Sequence, residues 1–162
     1  MGNRHKISTI VFSIYILLAF YVLGAGIVNS LVSYRTWRLV GENEFPKFHQ
    51  LDSALIIPLF VIFFFLTFIP QILLFWFRPM FISKWLVWVA FLCNLICLIS
   101  TIAIQIPIQK ELDQRFSLEL IDRLISTDMI YRRIPMALMA IVNFIMLYKV
   151  VKRSFSASTL QA

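Results

Sequence analysis

The chain has 162 residues, 60% of them hydrophobic and 14% charged, with a mean hydropathy of +0.86 and a formal net charge of +7. A soluble domain runs nearer roughly 45–50% apolar and about 25% charged, so this composition excludes a soluble globular domain and a disordered chain. The positive charge does not point to nucleic acid, because the basic residues flank long apolar runs.

Four of these runs, 9–31, 54–77, 85–107 and 134–151, are long enough to cross a hydrocarbon core, which takes about 20 helical residues. The first three contain no Asp, Glu, Lys, Arg or His, and the fourth holds only Lys149, close enough to its end to snorkel. The runs are continuous rather than alternating, which argues against barrel strands. The first run is too long for the apolar core of a signal peptide and reads as an uncleaved span. Gly2 does not make a myristoylation site, because Lys6 stands where Ser or Thr is needed. The expected fold is an all-α, four-transmembrane-helix bundle forming one domain over 1–162.

Four spans place both termini on one side, together with the short loop 78–84. That side carries Arg4, Lys6, Arg78, Lys84, Lys149, Lys152 and Arg153 and no acidic residue. Loops 32–53 and 108–133 share the other side and hold all 8 acidic residues. The dense basic cluster predicts that both termini lie inside and that the two larger loops face outward. Loop 108–133 carries Leu112, Phe116, Leu120, Ile121, Leu124 and Ile125 at helical spacing between charges, predicting an additional amphipathic surface helix in this second outward loop. Ser126, Thr127 and Asp128 read as a helix start before the fourth span, and Pro135 as its opening residue. Asp128 and Arg132 stand in the favourable i,i+4 order for an ion pair.

Polar residues within spans report which face turns toward other helices. Asn94, Cys97, Thr101 and Gln105 form one stripe on the third span, and Gln109 continues it. Arg133, Ala137, Ala140 and Asn143 share a face on the fourth span; Gly26, Ser30, Ser33 and Trp37 share one on the first. Asn94 and Asn143 each lie nine residues into their spans from opposite sides, which predicts matching depth and a hydrogen bond between them, direct or through one water. Nearer the outward surface, Trp37, Gln105, Gln109 and Arg133 converge. They form either a polar cavity or ordinary interhelical hydrogen bonding.

His49 is accompanied in its loop by Glu44 and Asp52. The three could hold a metal or act as a general base; alternatively His49 is packed at the start of the second span. A conventional zinc site is not expected, because it usually takes three or four protein ligands. Cys93 and Cys97, one helical turn apart, read either as a redox pair or as small buried apolar side chains. No nucleotide, haem, zinc-protease or serine-hydrolase motif is present, so no cofactor is indicated.

The stretch Trp37…Phe45…His49 before the second span, Ile106-Pro107-Ile108-Gln109 closing the third, Arg132-Arg133 approaching the last and Asn143-Phe144 within it together resemble the anthrone oxygenase-like family. The resemblance covers roughly residues 10–150. It implies a four-helix integral membrane protein and, as in mostly bacterial relatives, placement in the inner membrane. For a few members it implies cofactor-independent oxygenation of polyphenolic anthrones, an oxidoreductase activity. His49 would then be the base, with Gln109, Arg132 and Arg133 stabilising an enolate-like anion. The two functions expected are thus an outward polar pocket for a small apolar, aromatic or quinone-like molecule, and a non-catalytic subunit packed against membrane protein partners. A transporter is less favoured, because the spans lack the ionisable residues that couple ions.

Overall fold

The computed structural model describes residues 2–159. The described residues form a four-helix bundle with no strand. Its four helices are long and apolar enough to cross a membrane: α1 (Asn3–Leu39), α2 (Phe45–Phe77), α3 (Lys84–Leu112) and α4 (Leu118–Arg153). Three of the four start where the sequence offers a start. Pro46 sits in the first turn of α2, and the Ser83 and Ser117 hydroxyls accept from the backbone N–H groups of Trp85 and Leu120 to cap α3 and α4. The corner between α2 and α3 is held by Arg78, whose Nε donates to the Ile82 carbonyl at 3.0 Å.

The helices run well past the apolar stretches at one end of the bundle, called here the loop end; the other, with residues 2–8 and the 78–84 corner, is the terminus end. Residues 118–128 are helical, with Leu120, Ile121 and Leu124 buried, as the amphipathic pattern requires. They are not a separate element, however, because they continue without a break into the fourth long helix. The expected helix start at Ser126–Asp128 is absent: the Ser126 and Thr127 hydroxyls bond back to the Arg123 carbonyl at 3.0 and 2.7 Å instead of capping. Pro135 consequently lies inside α4 rather than at its opening. Residues 113–117 form the break between α3 and α4.

Every long helix contains one π turn: Asn29–Ser33, Ile57–Val61, Thr101–Gln105 and Met129–Arg133. Pro58 lies inside one of these turns, and Pro107 and Pro135 stand two residues past the end of two others, so that the carbonyl four residues before each of the latter lies within the turn. A proline has no N–H to offer and its ring presses on the carbonyl four residues back, so widening the turn relieves the clash. Pro70 is accommodated within a plain α-helical stretch.

Helix α1 packs chiefly on α2, and α3 on α4. Three apolar clusters are stacked along the bundle. Tyr15, Leu74, Val87 and Met146 mark the one at the terminus end; Val22, Phe60, Phe64, Cys97 and Met136 fill the middle; Trp37, Phe45, Leu112 and Ile121 fill the loop end. Gly26 lets α1 approach closely, since a Cβ there would stand 3.0 Å from Met136 Cε and 3.3 Å from the Phe60 ring.

Asn94 and Asn143 are both buried, but they do not bond to each other. Asn94 Nδ2 donates to Gln71 Oε1 (2.8 Å), Gln71 Nε2 donates to the Tyr15 hydroxyl (3.3 Å), and that hydroxyl donates to Asn143 Oδ1 (2.8 Å). One residue from each helix joins the chain, so each buried amide is satisfied through two intermediaries rather than by its counterpart.

Candidate functional site

The π turns surround a group of buried polar residues. Tyr34, on α1 just after its π turn, is the hub: its hydroxyl receives Asn29 Nδ2 at 3.2 Å, Arg132 Nη1 at 3.3 Å and Gln109 Nε2 at 3.4 Å. Three donors compete for two lone pairs, and all three bonds are long. Arg132 also pairs with Asp128 Oδ1 at 3.1 Å, the i,i+4 pair expected from the sequence, and its guanidinium lies 5.7 Å from the centroid of the Phe60 ring. Asp128 further accepts from Arg133 Nε at 3.0 Å and from the Ser30 hydroxyl. Arg133 Nη2 donates to the Gly26 carbonyl at 2.7 Å. The buried Arg132 and the half-buried Arg133 therefore share one carboxylate, while the Asp52 and Asp113 carboxylates stand at the same level.

His49 is fully buried. Its Nδ1 lies 2.7 Å from Asp113 Oδ1 and its Nε2 lies 2.7 Å from Gln109 Oε1. The ring meets Trp37 edge-on at 4.6 Å and stacks on Phe45 at 5.5 Å. Both ring nitrogens face oxygen acceptors. His49 thus donates from both as imidazolium, or a turned Gln109 amide donates to Nε2. The carboxylate that orients His49 is Asp113, not Glu44 or Asp52, and their separation of 64 positions leaves no local spacing from which the pair could have been read. Glu44 stands exposed at the head of α2, outside this group.

A cavity of about 300 Å³ opens between α2 and α3 at this level. Ile56, Ile57, Phe60, Val61 and Ile106 supply its apolar wall; its polar side includes Tyr34, Trp37, Gln105, Gln109 and Arg132 together with the charged Asp52, Lys110 and Asp113. Ile57 and Ile106 are 50% and 41% exposed, and they mark the mouth. Two buried polar atoms of lining residues have no hydrogen-bond partner among the described residues: Trp37 Nε1 and Gln105 Oε1. The Trp37 N–H approaches the Asp52 carboxyl, also in the wall, without reaching hydrogen-bond geometry. Gln105 Nε2 donates to Thr127 Oγ1 at 3.3 Å, and the Thr101 hydroxyl bonds to the Cys97 carbonyl at 2.8 Å. His49 and Arg133 lie behind the wall and do not line the cavity.

Cys93 and Cys97 are free and buried, and Cys97 Sγ lies 3.7 Å from the Arg132 carbonyl. Among the described residues no group of three or more His, Cys, Asp or Glu could hold a metal ion. Comparison of the chain with known protein families, with curated proteins and with solved structures finds no match.

Proposed function

We propose that the protein spans a bilayer four times with both termini inside, and that its cavity binds a small, planar, apolar or aromatic molecule carrying a carbonyl or phenolic oxygen. The observation that carries this reading is the contrast between the cavity walls. An apolar wall on α2 and α3 faces Arg132, a guanidinium that holds only a share in Asp128. Such a site suits a greasy ring with a polar edge, since the ring fills the apolar side and the oxygen meets the cation. The Gln105 Oε1 acceptor, without a partner among the described residues, suits a hydroxyl group on the guest.

Four long helices with apolar windows and exposed large side chains such as Leu17, Ile69, Ile141 and Phe144 support the membrane placement. The amphipathic head of α4, residues 118–128, then caps the bundle at the outer interface. Arg132 and Gln109 suit stabilisation of an enolate-like oxygen in an oxygenase-type reaction of the kind the family resemblance implies. His49, closed between Asp113 and Gln109, would act on such a reaction by orienting Gln109.

The test is binding of 1,4-naphthoquinone to the protein in nanodiscs, followed by quenching of tryptophan fluorescence. Saturable quenching that is lost on Ile57→Trp or Ile106→Trp, which fill the mouth from half-exposed positions, supports the reading. No saturable binding, or binding that these folded variants leave intact, overturns it.

A further inference from the structure

A second concavity, of about 590 Å³, lies at the terminus end, where the first turns of α1 meet the α2–α3 corner. Arg4, His5, Ser8, Trp76 and Arg78 line it, and an adjoining depression that shares Arg4, Trp76 and Arg78 adds Lys84. Every acidic residue of the chain falls within 42–52 or 111–128, at the opposite end. Among the described residues no Asp or Glu side chain therefore stands beside these cations.

Three further features sharpen the need for an anion. First, α1 begins here with no acidic residue in its first turn and no side-chain cap, so its free N–H groups present the positive end of the helix dipole beside Arg4, His5 and Lys6. Charges of that sign are disfavoured at a helix N-terminus, and an anion reverses the balance. Second, the Ser8 hydroxyl is 93% buried by residue, counting from its 7% exposure, and has no hydrogen-bond partner among the described residues. It is an unpartnered buried donor on a residue that lines the concavity. Third, Arg78 is fixed in place by its Nε bond to Ile82 and a longer Nη1 contact of 3.5 Å to the Phe75 carbonyl, so the rest of its guanidinium is pre-oriented for an oxyanion.

We propose that this concavity binds a phosphate group, and that its source is the headgroup of an anionic phospholipid. The choice of a lipid rests on the reading of the chain as bilayer-spanning. Trp76, Trp85 and Met80 are 62%, 69% and 97% exposed around the same end. Tryptophan concentrates at headgroup depth, which sets the cations level with lipid phosphates and leaves the acyl chains against the apolar helix faces below.

The test uses native mass spectrometry of the delipidated full chain with phosphatidylglycerol, with phosphatidylcholine and with inorganic phosphate. One phosphatidylglycerol should be retained at least about tenfold more tightly than phosphatidylcholine, the size expected for charge-assisted contacts. Arg4→Gln, at an exposed position, and Ser8→Val should each reduce that preference several-fold, and Arg4→Gln/Arg78→Gln should abolish it. Arg38→Gln, at the opposite end, should not alter it. Competition by millimolar inorganic phosphate would confirm the phosphate chemistry and make free phosphate the source. Retained preference without such competition confirms the lipid. Equal retention of the two lipids with no phosphate binding, or a preference untouched by Arg4→Gln and Ser8→Val, overturns the proposal.

Discussion

Removing the carboxylate of Asp128 should be among the most damaging single changes in the molecule. Asp128 is 1% exposed and holds Arg132 at 3.1 Å, Arg133 at 3.0 Å and the Ser30 hydroxyl. Asp128→Leu would leave two guanidinium groups, with side chains 7% and 13% exposed, without their counter-charge. Breaking a buried pair from one side costs about 3–5 kcal/mol, because the surviving ion cannot recover its hydration. At roughly 2–4 °C per kcal/mol for a chain of this size, the midpoint should fall by about 6–20 °C. Arg132→Met added to Asp128→Leu removes one stranded charge, and Arg133 keeps its bond to the Gly26 carbonyl, so the double variant should recover a large part of the loss. The two native thiols provide the assay. Cys93 and Cys97 are buried and free, so a thiol-reactive fluorophore reports their exposure as the protein melts in detergent. A midpoint for Asp128→Leu within about 2 °C of the parent, or a double variant no more stable than the single, would refute the reasoning.

Tyr15→Phe should cost about 0.6–2 kcal/mol and abolish the coupling between Asn94→Leu and Asn143→Leu, because the two asparagines communicate only through Tyr15 and Gln71; a double-mutant cycle in the same melting assay measures it, and coupling that persists without the hydroxyl would show another route. Leu120→Asp should destabilise by about 2 kcal/mol or more and speed amide exchange in residues 118–128, whereas Glu119→Lys, at an exposed position, should stay within about 0.5 kcal/mol. A cysteine at Asn43 should react with an impermeant maleimide on intact cells, and one at the exposed Met80 should react only after permeabilisation; the reverse pattern would invert the proposed orientation.

The four long apolar helices were legible because continuous apolar runs of about 20 residues have few other structural meanings. Their true lengths were not. Residues such as Asp128 and Arg132 stop a hydropathy reading, yet they continue the helix because their charges meet each other one turn apart, with the Ser30 and Tyr34 hydroxyls of α1 completing their hydrogen bonds. Asn94, Cys97 and Gln105 of the expected stripe are buried and Thr101 and Gln109 half-buried, although successive steps of four drift by about 40° around an ideal α-helix. The π turn at Thr101–Gln105 takes up part of that drift and keeps Gln109 beside Tyr34. On the fourth helix, the small residues Ala137 and Ala140 suggested the packing face, but Met136, Met139 and Asn143 occupy the interior, and the same face carries Arg132 rather than Arg133 to the cavity. Methionine fills irregular gaps as readily as alanine permits close approach, so residue size alone did not decide between the faces. Tyr15 and Gln71 passed unnoticed because a tyrosine and a single amide within apolar runs carry no periodic signal.

The hydrogen-bonded chain of Asn94, Gln71, Tyr15 and Asn143 crosses the whole bundle below the cavity, with the Val22, Phe60, Phe64, Cys97 and Met136 cluster between them. The cavity is therefore closed off from the terminus end, and Ile57 and Ile106 stand at its mouth. A guest that reached Arg132 would leave by the end at which it entered, so its encounter with the guanidinium would be governed by residence rather than by passage.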